Sequence, residues 1–122
     1  MNTQAKILLA DDSAFMRKVL MDILTEAGFS DFLEAENGNQ ALELIEKESP
    51  DLVLLDIIMP ELEGIGVLSK LKELGNTTKV IVVSAVGQDA MIEEAKNLGA
   101  FGYVVKPFEG EKVLETIKSA LG

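Results

Sequence analysis

The sequence contains no cysteine and no histidine. Within this chain, a disulfide framework, a cysteine-histidine zinc site and a Ser-His-Asp catalytic triad are therefore excluded. Basic residues are also few, with 11 lysines and arginines against 21 aspartates and glutamates, which gives a net charge of −10. Because nucleic acids bind basic surfaces, we expect no nucleic-acid partner. A metal ion or a basic protein partner remains compatible with this charge.

Long apolar runs are absent as well. No stretch approaches the roughly 20 apolar residues of a membrane span, and acids interrupt the opening "MNTQAKILLADD" too early for a signal peptide. We therefore expect a cytoplasmic protein without a membrane partner. The 122 residues show no linker and no internal repeat, which predicts one domain over residues 1–122.

Short apolar segments alternate with helical patterns along the chain. The predicted strands are Lys6–Ala10, Phe32–Ala35, Leu52–Leu55, Lys79–Val83 and Gly102–Val105. The predicted helices are Ala14–Ala27, Asn39–Lys47, Gly64–Leu74, Ala90–Leu98 and Glu111–Leu121. This alternation predicts a doubly wound α/β fold, with a parallel sheet covered by helices on both faces. Ligands of such sheets bind beyond the carboxyl ends of the strands.

Polar side chains follow four of the predicted strands. Asp11 and Asp12 follow the first strand, Asp56 the third, Ser84 the fourth and Lys106 the fifth. One polar residue at a strand end is most simply the start of a loop. Because the carboxyl ends of parallel strands meet at one edge, we expect these five side chains to lie together there.

Three clustered carboxylates need positive charge nearby. Two like charges about 4 Å apart repel by roughly 4 kcal/mol at an effective dielectric constant of 20, so the cluster must bind a cation or take up protons. Lys106 supplies one positive charge, and oxygen ligands favour Mg²⁺. A carboxylate can also accept a phosphoryl group, provided that positioned donors and a metal offset the charge. The strand ends therefore predict a metal-dependent phosphoacceptor.

The same residues resemble the receiver domain of bacterial response regulators, most closely the stand-alone chemotaxis regulators of the CheY type. The resemblance rests on Asp11-Asp12, the block "LLDIIMPELEGI", the "VSA" at 83–85 and the "YVVKPF" at 103–108, and it covers essentially the whole chain. It implies a flavodoxin-like (βα)₅ fold with strand order 2-1-3-4-5, an order for which CheY is a known example.

The resemblance also implies a metal site and a phosphoacceptor. Asp56 would accept the phosphoryl group. Asp12, Asp56 and the backbone carbonyl of Ile58 would bind Mg²⁺, for which Mn²⁺ could substitute, and Asp11 would help directly or through water.

Further implied roles concern the response to phosphorylation. Ser84 and Lys106 would contact the phosphoryl group, and the Lys106–Pro107 peptide bond would be cis. Tyr103 would swing between outward and inward positions as Ser84 moves. For Tyr103 taken alone, packing against a helix with the hydroxyl in water is the simpler interpretation. Phe15 could pack in the core or receive the kinase's phosphodonor domain.

Two positions depart from the commoner family pattern. Ile58 and Val86 are apolar, so neither side chain can orient an attacking water. We therefore expect the aspartyl phosphate to hydrolyse slowly unaided, and a separate phosphatase to be a partner.

The function implied by the resemblance is a two-component signalling switch, not an enzyme acting on other substrates. It would be a monomer, phosphorylated on Asp56 by a histidine kinase of the CheA kind, and its target would be a flagellar motor switch protein that controls flagellar rotation. A receiver in a phosphorelay or another pathway is the alternative. A further alternative is a fragment of a longer DNA-binding regulator. We expect this less, because the chain ends just after the last predicted helix.

Two other classes use a similar fold. A phosphatase of the haloacid dehalogenase type needs an acid two residues after the nucleophile, where Ile58 stands. A flavodoxin-like cofactor binder needs a phosphate loop after the first strand, where Asp11 and Asp12 would repel a phosphate. Both are disfavoured by these residues.

Overall fold

The computed structural model describes residues 3–59 and 63–122. The strands are β1 Lys6–Ala10, β2 Asp31–Ala35, β3 Leu52–Leu55, β4 Lys79–Ser84 and β5 Gly102–Val105. The helices are α1 Ala14–Glu26, α2 Gly38–Glu48, α3 Gly64–Glu73, α4 Asp89–Asn97 and α5 Gly110–Leu121. Every predicted element is present, and each end lies within one residue of its predicted position. No helix in the described ranges is long and apolar enough to cross a bilayer.

The five strands form one parallel sheet in the order β2-β1-β3-β4-β5, as expected. The chain moves outward in one direction from β1 to β2 and in the other from β3 to β5, so the order reverses between β1 and β3. Ala10 of β1 pairs in register with Leu55 of β3. The residues that follow them, Asp11 and Asp56, therefore leave the sheet side by side at the position where ligands of such sheets bind.

Helices cover both faces of the sheet. Residues of α2, α3 and α4 pack against one face, around Val53 and Leu55 of β3. Residues of α1 and α5 pack against the other face, around Leu52 and Leu54. All four residues of β3 are buried, which explains why this strand is a continuous apolar run rather than an alternating one. The buried strand fixes Asp56 at the edge of the sheet.

Side chains at the helix starts fix the two loops next to β1 and β2. The Ser13 hydroxyl accepts a hydrogen bond from the backbone N–H of Met16 at 3.1 Å and starts α1 directly after the two aspartates. The Asn37 side chain accepts one from Gln40 at 2.8 Å and starts α2. Such caps satisfy N–H groups that have no partner within the helix.

Gly64, the first residue of α3, packs directly on the loop that carries Asp56. Its N–H donates to the Ile57 carbonyl at 2.8 Å. A Cβ atom at this position would lie 2.4 Å from the Asp56 carbonyl oxygen and 2.7 Å from the Ile57 Cα. The backbone after β3 can therefore lie against α3 only because residue 64 has no side chain.

Candidate functional site

Two adjacent aspartates after β1 have different environments. The Asp11 side chain is buried, and one of its oxygens accepts a hydrogen bond from the Ser13 N–H at 2.9 Å. The Asp11 N–H donates to the Ala35 carbonyl of β2 at 3.1 Å, which extends the sheet by one bond. Asp12 is exposed to solvent. The structure therefore holds Asp11 rigidly and presents Asp12 at the rim.

Asp56 completes a cluster of three carboxylates. Its N–H donates to the Ala10 carbonyl at 2.9 Å, and its carboxylate accepts a hydrogen bond from the Ile58 N–H at 3.2 Å. Asp56 is only 8% exposed. Asp11, Asp12 and Asp56 each offer a carboxylate oxygen, and these oxygens all lie within 4.8 Å of one another. The three carboxylates thus lie together, at the distances where their repulsion is strong.

Lys106 provides the positive charge within this cluster. Its Nζ lies 2.9 Å from Asp11 Oδ2 and 3.2 Å from Asp56 Oδ2. Burial by itself would lower the pKa of Lys106, but the hydrogen bond to Asp11 and the charges of Asp11 and Asp56 outweigh it, so this pKa is raised. Lys106 is therefore a bridging cation and not a solvated side chain. The Lys106–Pro107 peptide bond is cis, as the family resemblance implied.

Ser84 and Tyr103 lie next to the cluster on β4 and β5. Ser84 is fully buried, and its hydroxyl accepts a hydrogen bond from the Val86 N–H at 3.2 Å. The Tyr103 hydroxyl donates to the Val86 carbonyl. The hydroxyl of the half-buried Tyr103 therefore has a protein partner in this structure, in addition to any contact with water.

The pKa of Tyr103 reflects the same neighbourhood. Burial raises the pKa of its hydroxyl, a hydrogen bond with Ser84 acts in the opposite direction, and the negative charge of Asp56 raises it further. The net effect is a pKa above the ordinary value for tyrosine. The electrostatic influence of Asp56 thus extends to the aromatic residue on β5.

Apolar side chains are exposed around the acidic cluster. Phe15 is 75% exposed in the first turn of α1, so the expectation that it could pack in the core is wrong. Ile58 is 58% exposed, whereas Val86 is half-buried. Pro60, which contributed to the family resemblance, lies outside the described residues. Neither Ile58 nor Val86 therefore has a polar side chain that could orient a water molecule.

Arg17 is a neighbour of the site that was not expected from the sequence. Its side chain is buried, and its guanidinium donates to the Asp11 carbonyl oxygen at 2.6 Å and to the Glu34 carboxylate at 2.8 Å. A signal was present in the helical pattern, because Arg17 lies three and seven residues before the buried Leu20 and Leu24 of α1. An arginine on a buried helix face needs a polar partner.

The donor set fits a hard divalent cation. Three carboxylates supply oxygen ligands, and Mg²⁺ and related cations are bound in proteins through a few carboxylates while they retain waters. Because Lys106 offsets only one of the three negative charges, the cluster can still attract a divalent cation.

Comparison with known proteins agrees with this geometry. The family model described as "Response regulator receiver domain" matches residues 7–118. The chain belongs to the response regulator receiver domain family. It is therefore a phosphorylation-activated signalling switch of the two-component type.

Individual relatives cover nearly the whole chain. The chemotaxis protein CheY of Bacillus subtilis is 46% identical over 116 residues, which is 95% of this chain and 97% of the relative. The sporulation initiation phosphotransferase F of the same species is 39% identical over 95% of this chain and 93% of the relative. A crystal structure of the CheX-CheY-BeF₃-Mg²⁺ complex from Borrelia burgdorferi superimposes with a TM-score of 0.92 at 33% identity, over 97% of this chain and 90% of that chain.

Tyr103 is the only tyrosine, and the chain has no tryptophan, so its ionisation can be followed by ultraviolet absorbance alone. We expect a pKa above 10 in the wild type, and a lower value in Asp56→Asn, because this substitution removes a negative charge that opposes ionisation. Asp51→Asn, at the opposite end of β3, removes an equal charge and should leave the titration unchanged. An equal Tyr103 pKa in the wild type and Asp56→Asn would contradict the proximity of Tyr103 and Asp56.

Proposed function

We propose that this receiver accepts a phosphoryl group on Asp56 from a histidine kinase of the CheA kind and acts in chemotaxis. The observation that carries the proposal is the position of the Asp56 carboxylate, buried at the end of β3 beside two further carboxylates and the ammonium group of Lys106. An oxygen of Asp56 would form the new bond to phosphorus while the bond from phosphorus to the kinase histidine breaks. The nitrogen electron pair returns to the imidazole ring.

The metal in this proposal is Mg²⁺, with Mn²⁺ able to replace it. Asp12, Asp56 and the Ile58 carbonyl would hold it, and Asp11 would help directly or through water. When bound, the ion offsets negative charge on the carboxylates and on the incoming phosphoryl oxygens. The oxygen-rich cluster of Asp11, Asp12 and Asp56 supports this assignment.

Lys106 and Ser84 are the proposed contacts of the phosphoryl group. Lys106 already lies 3.2 Å from Asp56, so its ammonium can interact with a phosphoryl oxygen after a small movement. The Ser84 hydroxyl is tied to the 84–86 loop through the Val86 N–H, and Tyr103 binds the same loop through the Val86 carbonyl. Movement of Ser84 towards a phosphoryl group would therefore be transmitted to Tyr103 through Val86.

The proposed partners follow from the relatives and from the exposed residues. Similarity to chemotaxis CheY proteins supports a flagellar motor switch protein as the target. Exposed Phe15 beside the acidic cluster supports docking of the kinase there. Apolar Ile58 and Val86 support a separate phosphatase. We further propose a one-domain cytoplasmic monomer over residues 1–122, without catalytic turnover of other substrates.

A phosphorelay is the second candidate function. The 39% identity to a sporulation initiation phosphotransferase favours it specifically. In that case the phosphoryl group of Asp56 would pass on to a histidine of another protein rather than alter binding to a motor protein. Transfer from the phosphorylated chain to a histidine-containing protein would distinguish the two.

The phosphoacceptor can be tested by intact mass after incubation with Mg²⁺ and acetyl phosphate. We expect the wild type to gain one phosphoryl group, because Asp56 is positioned as the nucleophile, and Asp56→Asn to gain none. Asp51→Asn, at the other end of the same strand, should gain as much as the wild type. A phosphoryl gain that persists in Asp56→Asn would contradict the assignment.

The role of Ile58 can be tested through the lifetime of the phosphoryl group. We expect Ile58→Asn to release phosphate severalfold faster than the wild type, because an amide at this exposed position can orient a water molecule. Leu74→Asn is a matched control, since Leu74 is also 58% exposed but lies at the distant end of α3. An unchanged release rate in Ile58→Asn would count against water exclusion by this side chain.

A further inference from the structure

Arg17 joins the acidic turn after β1 to the edge strand β2. We propose that Arg17 is a positioning residue for divalent-cation binding, which acts through the Asp11 carbonyl to orient Asp12. The inference rests on the proposed metal site and adds to it a residue outside the carboxylate cluster.

The contacts of Arg17 define a rigid bridge. Nη1 donates to the Asp11 carbonyl oxygen at 2.6 Å, and Nε donates to the Glu34 carboxylate at 2.8 Å. The Arg17 side chain is 9% exposed, whereas that of Glu34 is 46% exposed. A buried guanidinium is tolerated only when its charge and its N–H groups have partners. Glu34 supplies the opposite charge, so the Nη1 donor can be committed to the Asp11 carbonyl.

Asp11 is held through both its backbone and its side chain. Its N–H donates to the Ala35 carbonyl, its side chain accepts from the Ser13 N–H, and its carbonyl accepts from Arg17. The carbonyl belongs to the peptide group that leads into Asp12. The Arg17 contact therefore fixes the orientation of the peptide plane on which the Asp12 side chain depends.

Asp12 has little else to orient it. Its side chain is exposed, and no residue in ranges 3–59 and 63–122 forms a hydrogen bond or ion pair with its carboxylate. Its carboxylate nevertheless reaches the cluster with Asp11 and Asp56. The backbone contact made by Arg17 is thus a principal constraint on where this carboxylate points.

Positioning and charge predict opposite effects of removing Arg17. The guanidinium is a positive charge near the carboxylates, so its removal would strengthen cation binding if only charge mattered. If Arg17 orients Asp12, its removal would weaken cation binding, because residues that orient metal ligands typically contribute about 10- to 100-fold in metal affinity. The sign of the change therefore distinguishes the two roles.

The test is calorimetric titration of Mg²⁺ into the intact, unphosphorylated chain. We expect Arg17→Met to raise the Mg²⁺ dissociation constant by about tenfold. We expect Arg17→Lys to raise it as well, because a lysine keeps the charge but lacks the fork that contacts two acceptors. Lys18→Met is the matched control. Lys18 is exposed on the same helix and pairs with Asp22, so its loss removes an equal charge without affecting Asp11.

Thermal unfolding without metal separates positioning from general stability. A purely structural role would lower the unfolding temperature of the Arg17 variants and leave the Mg²⁺ affinity of the folded protein unchanged, which would overturn the inference. Tighter Mg²⁺ binding by Arg17→Met would also overturn it. If Arg17→Met does not fold, Glu34→Gln serves instead. This variant keeps Arg17 but removes its ionised partner, and we expect a smaller loss of affinity.

The Mg²⁺ titrations distinguish a failure of the proposed function from a failure of this inference. If the wild type binds no Mg²⁺, or binds it equally well in Asp56→Asn, the metal site itself is wrong. If the wild type binds Mg²⁺ through Asp56 and the Arg17 and Glu34 variants bind equally well, only the positioning role is wrong.

Discussion

The repulsion among Asp11, Asp12 and Asp56 is the constraint on which the site depends. Two such charges about 4 Å apart repel by roughly 4 kcal/mol at an effective dielectric constant of 20, and their oxygens lie within 4.8 Å of one another. Lys106 offsets part of this repulsion by contacting Asp11 and Asp56 together. A carboxylate cluster with a net negative charge remains, and it suits a divalent cation. The chemistry of the site therefore follows from an incompletely balanced charge.

The fold connects this charge to a surface on β5. The Lys106 N–H donates to the Ser84 carbonyl at 2.8 Å. Ser84 and Tyr103 both contact Val86. A change of charge at Asp56 can therefore act on Lys106 and on the 84–86 loop, and through that loop on Tyr103. Conformational switching requires two arrangements of such a connection with different affinities for a partner.

Most of the fold could be predicted from the sequence, because the spacing of apolar residues along the chain distinguishes strands from helices. It could also be predicted that the polar residues at the strand ends lie together, because the carboxyl ends of parallel strands meet at one edge of the sheet. The difference between Asp11 and Asp12 could not be predicted, because it depends on how the turn contacts β2. Arg17 was missed for a related reason: it lies on α1, and its partner Glu34 lies 17 residues away on β2. The exposure of Phe15 and the hydrogen bond of Tyr103 likewise depend on tertiary packing that periodicity does not describe.

The most direct test of the charge balance compares how much Mg²⁺ stabilises the wild type and Lys106→Met. The measurement is the free energy of unfolding in urea, with and without Mg²⁺. Ligand binding to the folded state raises this free energy, and tighter binding raises it more. If Lys106 and the metal compete for the same carboxylates, Mg²⁺ should stabilise Lys106→Met more than the wild type. Lys70→Met, which removes an exposed charge on α3, should behave like the wild type. An equal or smaller gain in Lys106→Met would contradict the account.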